Sequence, residues 1–227
     1  PEETNRRIVD SISDINLTYS KISRENLINE GHKSNTVINV GSPMNEVLEY
    51  FKNKINGSNI LKKLKLKKDN YFVVSSHREE NVDGDKNFNK LLNILNFLST
   101  NYKNNIIMTV HPRIENKLKI YNKQKLKKLI LCKPFSFTDY IKLQVNSKLV
   151  LSDSGTINEE SSILNFKAIN LRDAHERPEA DEEGTTVMTG LDINRVKNAV
   201  EFFSKKSVNN NKIVEDYNNK YVGVIFF

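Results

Sequence analysis

From about residue 71 onward the chain alternates between two hydrophobic patterns. Short unbroken apolar runs occur at Tyr71-Phe72-Val73-Val74-Ser75-Ser76, Asn105-Ile106-Ile107-Met108-Thr109-Val110, Leu129-Ile130-Leu131-Cys132, Lys148-Leu149-Val150-Leu151-Ser152 and Lys167-Ala168-Ile169-Asn170-Leu171. Runs of this length and composition predict strands buried on both faces. Between them apolar residues recur every three or four positions, the period of a helix with one buried side. The clearest case is 87–101, with Phe88, Leu91, Leu92, Ile94, Leu95 and Leu98 on one face. Further helices are predicted in the Lys-rich stretch before Leu129 and at 137–146, 157–164 and 192–204. Before residue 71 the signals are shorter. A strand is expected within 14–19, a helix over 20–30 with Gly31 as its stop, and a strand over 36–40 that Gly41-Ser42-Pro43 breaks. A helix over 44–53 follows. Strands alternating with helices of about ten residues require a parallel sheet covered on both faces, hence an α/β fold. Right-handed crossovers bring all strand C-termini to one edge, where such sheets bind ligands.

Four polar clusters fall just after predicted strands: Ser75-Ser76-His77-Arg78-Glu79-Glu80-Asn81, His111-Pro112-Arg113, Ser152-Asp153-Ser154-Gly155-Thr156-Ile157-Asn158-Glu159-Glu160, and Arg172-Asp173-Ala174-His175-Glu176-Arg177-Pro178-Glu179. Three of the chain's four His lie in them. Ser154-Gly155-Thr156 opens a helix, with Ser154 or Thr156 as its expected cap. The N–H groups and dipole of a helix start favour a phosphate. Glu160, on the first turns of that helix, can accept hydrogen bonds from ribose hydroxyls. His77 can move protons near neutral pH, and Arg78, Arg172 and Arg177 add positive charge at the same edge. Taken singly, each feature has a plainer reading. Ser-Gly-Thr is a good helix start, a loop His is often idle, Glu160 suits the helix dipole, and Glu2, Glu3 and Arg6 are a polar helix start. Together the clusters describe a site for a diphosphate.

Composition narrows the partners. The 227 residues carry a net charge of +7, but the excess Lys sits largely in 62–68 and 123–128, with no aromatic residue inside either run. That argues for solvated surface rather than a nucleic-acid interface. A single Cys, Cys132, excludes a disulfide framework and a Cys-rich metal site. No His pair has metal-ligand spacing, so no metal is expected. No Walker sequence, Gly-x-Gly-x-x-Gly or Gly-x-Ser-x-Gly is present, and no cofactor is expected. No apolar run approaches the length of a membrane span. The N-terminus lacks the apolar core of a signal peptide and a starting Met, which predicts a fragment or a processed chain, with cytoplasmic residence as the default expectation.

Taken in order, Pro1-Glu2-Glu3-Thr4-Asn5-Arg6, Val40-Gly41-Ser42-Pro43, Ser75 to Asn81, Val110-His111-Pro112, Leu151 to Glu160 and Glu176-Arg177-Pro178-Glu179-Ala180 resemble the non-hydrolysing UDP-N-acetylglucosamine 2-epimerases over about 1–203. The resemblance implies the second half of a glycosyltransferase-B-type fold of two Rossmann-like domains. Residues 1–40 would be a remnant of the first domain, 41–203 the UDP-binding domain and 204–227 a C-terminal tail. It also implies anti elimination of UDP to a 2-acetamidoglycal and re-addition to the other face. The catalytic residues would be Glu2, Arg6 and His77. The UDP contacts would be Arg78, His111, Ser154, Gly155, Thr156, Glu160 and Arg177, with Tyr140 beside the uracil ring. A homodimer is a further implication. The chain departs from the family pattern at Thr156, where a second Gly is usual, and at Ser75-Ser76, where Thr-Gly is usual. With 79–83 these resemble the subgroup forming UDP-N-acetyl-L-fucosamine for capsule or O-antigen. Tyr221 to Phe227 does not match the family's closing helix. A glycosyltransferase of the same architecture and a non-enzymatic nucleotide-binding module remain open.

Overall fold

A computed structural model describes residues 2–76, 85–110, 118, 126, 128–173, 186–205 and 213–223. Helix α1 (Glu2–Ile12), strand β1 (Asn16–Thr18), helix α2 (Lys21–Asn29) and strand β2 (Val37–Asn39) come first. β1 and β2 form a separate parallel pair, with Asn16 opposite Val37 and Thr18 opposite Asn39. Helix α2 starts where the Ser20 hydroxyl accepts the Ser23 N–H, and the chain leaves it through Gly31 at φ +102°. That left-handed backbone is open to Gly without a side-chain clash. α1 begins where Glu2, Glu3 and Arg6 read as a polar helix start, though its extent to Ile12 was not predicted, and β1 is shorter than the 14–19 expected.

Helices α3 (Met44–Gly57) and α4 (Ile60–Lys63) lead into a second sheet. Its elements are β3 (Tyr71–Ser75), α5 (Asp85–Asn101), β4 (Asn105–Thr109), β5 (Leu129–Cys132), α6 (Phe137–Val145), β6 (Leu149–Ser152), α7 (Ile157–Leu164), β7 (Ala168–Asn170), β8 (Val187–Met188) and α8 (Ile193–Lys205). The strand order is β5-β4-β3-β6-β7-β8, and every neighbouring pair is parallel. This is the α/β, Rossmann-like sheet expected. The chain builds outward from β3 through β4 and β5, then returns to the other side of β3 for β6. Between β3 and β6 the crossovers diverge and leave a crevice at the strand C-termini.

The period of two along each strand sorts side chains to two faces. Phe72, Val74, Ile106, Met108, Leu151 and Ile169 pack under α5 and α8. Tyr71, Val73, Ile107, Val150 and Ala168 pack against α4, α6 and α7. Both faces are covered, which is why these strands are apolar throughout. Each fully buried large side chain contributes on the order of 1.5–3 kcal/mol. β8 and α4 were not predicted; both are too short to show a period. The predicted Lys-rich helix falls mainly outside the described residues. Lys62, Lys63, Lys65, Lys67 and Lys68 are exposed, as a solvated run should be.

The 213–223 segment folds back over the chain. Val214 and Tyr217 are buried, and Tyr217 belongs to a short 3-10 helix (Glu215–Tyr217). The Val214 N–H donates to Ser162 on α7, and Asp216 accepts from the Lys21 N–H and the Asn39 amide. The Ser42 N–H donates to the Asp216 carbonyl at 2.9 Å. Gly41, at φ +80°, lets this strap approach, because a Cβ there would lie 2.8 Å from the Asp216 carbonyl oxygen. Among the described residues no helix is long and apolar enough to cross a membrane.

Candidate functional site

The crevice between β3 and β6 is built from small buried hydroxyls and one carboxylate. β3 ends in Ser75, followed by Ser76, and β6 ends in Ser152, followed by Asp153; all four are fully buried. Ser76 donates to Asp153 Oδ2 at 2.9 Å, and the Asp153 N–H donates to the Ser75 carbonyl at 3.1 Å. These bonds tie the two strand ends together and fix where the next turn, Ser154-Gly155-Thr156, leaves the sheet.

That turn opens α7, but not as the sequence suggested. Thr156 occupies the cap position with φ −84°, and no side chain caps the helix. The Thr156 hydroxyl instead donates to Glu160 Oε1 at 2.8 Å, and the Ser154 hydroxyl lies 3.0 Å from it. The Ser154 Oγ accepts the Thr156 N–H within the turn itself. The reason is competition: Glu160, one turn on, is a stronger acceptor than the hydroxyl is a cap. A helix start without a side-chain cap keeps the polarity that attracts an anion.

Two carboxylates in the first turn of α7 would oppose that attraction if they faced the turn. Both are held sideways. Glu159 accepts a short bond from Ser42, in the break between β2 and α3. Glu160 accepts from Gln144 Nε2 at 2.8 Å, so its two oxygens are held by Thr156 and Gln144. Both acids are buried. Burying a carboxylate is costly unless it is hydrogen-bonded in this way.

Tyr140 stands one turn before Gln144 on α6. The residue is half-buried, while its hydroxyl is sealed and has no hydrogen-bond partner among the described residues. Burial pushes its pKa up to about 12; the Ser75 and Ser152 hydroxyls oppose the shift and the carboxylates of Glu160 and Asp153 reinforce it. Beyond β7, Asn158 on α7 accepts from the Asn170 amide and from Thr186, and buried Arg172 follows with its N–H on Asn170. Among the described residues no three His, Cys, Asp or Glu side chains gather as a metal site would require.

Of the residues singled out in the sequence, Tyr140, Ser154, Gly155, Thr156 and Glu160 meet at this crevice. His77, Arg78, His111 and Arg177 lie outside the described residues. Glu2 begins α1, and its side chain is likewise outside the description. Arg6 sits on α1 among Glu3, Asp10 and Glu30, bonded to each at 2.6–2.9 Å. Arg6 and Arg7 hold the Glu3 carboxyl down to about 2. Sequence reasoning passed over Gln144, and named Asp153, Ser42 and Glu159 only as members of motifs, without the bonds that join Asp153 to Ser76 and Ser42 to Glu159. The signal for Gln144 was present: a polar residue four positions after Tyr140, between the buried Ile141 and Leu143 and the next strand.

A family model described as UDP-N-acetylglucosamine 2-epimerase matches residues 1–223. The UDP-N-acetylglucosamine 2-epimerase of Methanococcus maripaludis is 31% identical over 214 residues, covering 91% of this chain and 58% of its own. The solved structure of UDP-N-acetylglucosamine 2-epimerase from Rickettsia bellii matches with a TM-score of 0.88 and 41% identity, over 100% of this chain and 62% of that one. The Methanocaldococcus jannaschii UDP-GlcNAc 2-epimerase, solved in complex with UDP-GlcNAc and UDP, matches with a TM-score of 0.87 and 29% identity, over 100% and 63%. The chain thus spans 58–63% of the length of these relatives.

Proposed function

The chain belongs to the UDP-N-acetylglucosamine 2-epimerase family, and from that premise we propose that it carries the UDP-binding half of an enzyme that inverts C2 of a UDP-N-acetylhexosamine. The observation that carries the reading is the crevice at the parting of β3 and β6. There a helix start without a side-chain cap meets a carboxylate held at both oxygens and a half-buried Tyr. In this reading the pyrophosphate sits at Ser154, Gly155 and Thr156, the ribose meets Glu160, and the uracil lies beside Tyr140. His77, Arg78, His111 and Arg177 follow β3, β4 and β7 in sequence and are assigned the remaining positive charge.

The chemistry assigns a division of labour. A base takes the C2 proton while the C1–O bond breaks, its electron pair leaving with the UDP β-phosphate oxygen. This gives the 2-acetamidoglycal. Return of UDP to C1 and of a proton to the other face of C2 completes the inversion. Glu2 is assigned as base, with Arg6 and His77 beside the reacting sugar. Cationic side chains and the helix start stabilise the negative charge on departing UDP. The division of the chain near residues 40 and 203, a homodimeric assembly and cytoplasmic residence belong to the same reading. The subgroup resemblance at Ser75-Ser76 and Thr156 favours a 6-deoxy UDP-N-acetylhexosamine as substrate.

The test is isotopic. Full-length protein is incubated in deuterated water with a panel of UDP-N-acetylhexosamines, 6-deoxy sugars included. Deuterium entering at C2 with one of them supports the proposal. Sugar transfer to an acceptor without exchange would instead mark a glycosyltransferase, and UDP binding with neither reaction a binding module.

A further inference from the structure

We propose that Gln144 and Thr156 are positioning residues that set the ribose selectivity of the nucleotide site, by presenting the Glu160 carboxylate to a vicinal diol. The inference rests on the nucleotide reading above and goes beyond it in naming what aims the carboxylate. Glu160 lies at a position where its charge would repel a diphosphate at the same helix start. Two bonds resolve the conflict. Gln144 Nε2 donates to Oε2 at 2.8 Å, from the neighbouring helix α6. The Thr156 hydroxyl donates to Oε1 at 2.8 Å, from within the turn. With Gln144 and Thr156 donating to opposite oxygens the carboxylate plane is fixed, and the group is drawn toward α6.

An independent observation indicates what Gln144 is there for. Its side-chain carbonyl oxygen is buried without a hydrogen-bond partner among the described residues. Gln144 itself is 1% exposed, beside Ile141 and Leu143, both fully buried on the same helix. A Met or Leu would fill such a place without leaving a polar atom unsatisfied. The side chain therefore accepts a cost at one end, and its other end holds Glu160. Thr156 is read in the same way. The hydroxyl adds nothing as a helix cap, since no capping bond is made, and its proton goes to the carboxylate. The turn thereby holds its own acid, which a residue without a side chain could not do. A carboxylate held in advance loses no rotamer freedom when the diol arrives, so each hydroxyl bond is expressed in affinity.

The measurement is the ratio of dissociation constants for 2′-deoxy-UDP and UDP, by titration calorimetry on full-length protein. Wild type is expected to prefer UDP by about tenfold, the size of one well-placed hydrogen bond to a charged group. Gln144→Met should bring the ratio below about threefold by weakening UDP while leaving 2′-deoxy-UDP near its wild-type value. Thr156→Val, which keeps the shape, should lower the ratio as well, and Thr156→Ser should restore it. A merely structural role would weaken both nucleotides together and leave the ratio alone. That result in folded Gln144→Met or Thr156→Val overturns the inference. If Gln144→Met fails to fold, the Val and Ser pair at 156 decides it. Absence of binding by wild type to either nucleotide overturns the nucleotide reading itself, and this inference with it.

Discussion

The chain contains two parallel sheets that share a geometry and differ in what surrounds them. In the six-stranded sheet β3 and β6 are buried at every position, with helices on both faces. In the β1–β2 pair burial alternates, and Leu17 and Ile38 are exposed, as are Ile8, Val9 and Ile12 on α1. The larger sheet is held by interdigitated apolar side chains. The smaller unit is held by polar ties: Arg6 among three carboxylates, Arg24 on the carbonyls of Val37 and Ser34, and the strap through Asp216. The lesson is that parallel pairing alone does not set stability or chemistry. Cover on both faces does, and it leaves the strand ends as the place where polar groups can collect.

The sharpest way to break this comparison is to hollow the larger sheet's cover. Leu95 is fully buried on α5 and belongs to the main core cluster. Leu95→Ala is expected to cost about 3–4 kcal/mol, from lost transfer energy and the cavity left behind. Urea unfolding should show the midpoint fall with little change in slope. A cost under about 1 kcal/mol would mean that this core is loosely packed and the contrast between the sheets is wrong.

Next in size is the joint between the two units. Gly41→Ala places a Cβ against the Asp216 carbonyl at a positive φ, so both strain and clash arise. The expected cost is about 2 kcal/mol. Because the strap must shift, hydrogen exchange should quicken at the Lys21 and Ser42 amides, which donate to Asp216. Unchanged exchange there would show that the strap does not tie the units.

The crevice should behave unlike the core beneath it. Tyr140→Phe removes a sealed hydroxyl that makes no well-formed hydrogen bond among the described residues, so it should stabilise the fold slightly, by about 0.5–1 kcal/mol. The pH arm has a definite sign. Burial raises this phenol from 10.0 to about 12, so the fold is unaffected by its titration below pH 10 and loses stability as pH rises from 10 through 12, where the unfolded chain ionises more readily. Wild type should lose stability over that window more steeply than Tyr140→Phe, as read by thermal melts at fixed ionic strength. Equal slopes would refute the burial of the hydroxyl.

The same contrast governs what could be read without a structure. Strands covered on both faces must be apolar throughout, so β3, β4, β5, β6 and β7 were legible as unbroken runs. α5 showed its period because one side is buried and the other is wet; α7 is buried from Ile157 to Ser162 and was legible instead from the polar turn that follows a strand. In the smaller unit the pattern misleads: α1 exposes Ile8, Val9 and Ile12, so only its polar start at Glu2, Glu3 and Arg6 was legible and not its extent. At the site, Ser154-Gly155-Thr156 and Glu160 announced themselves by following a strand. Gln144 and Ser42 did not, because their importance lies in what they touch across the fold. Gln144 reaches from one helix to another, and Ser42 from the chain break to α7. The expected cap at Thr156 failed for the same reason, since its hydroxyl answers to Glu160 rather than to the backbone.

The smallest effect is the one that separates the two units by mechanism. Arg6→Met removes the centre of the α1 cluster and leaves Glu3, Asp10 and Glu30 close together. The Arg6 side chain is 37% exposed, so solvent screens the pairs and the expected cost is about 1 kcal/mol or less at low salt. Raising ionic strength to about 1 M, where screening acts within about 3 Å, should shrink that cost toward zero. The cost of Leu95→Ala should persist, because burial of apolar surface is not screened. Acid gives the same separation. Glu3 is held down to about 2 by Arg6 first and Arg7 second, so its contribution is present above its ordinary 4.5 and lost as pH falls toward 2. In Arg6→Met that acid-labile component should be smaller, with α1 followed by hydrogen exchange. A salt-insensitive loss in Arg6→Met would mean that α1 is held by packing after all, and the two sheets would then differ in size alone.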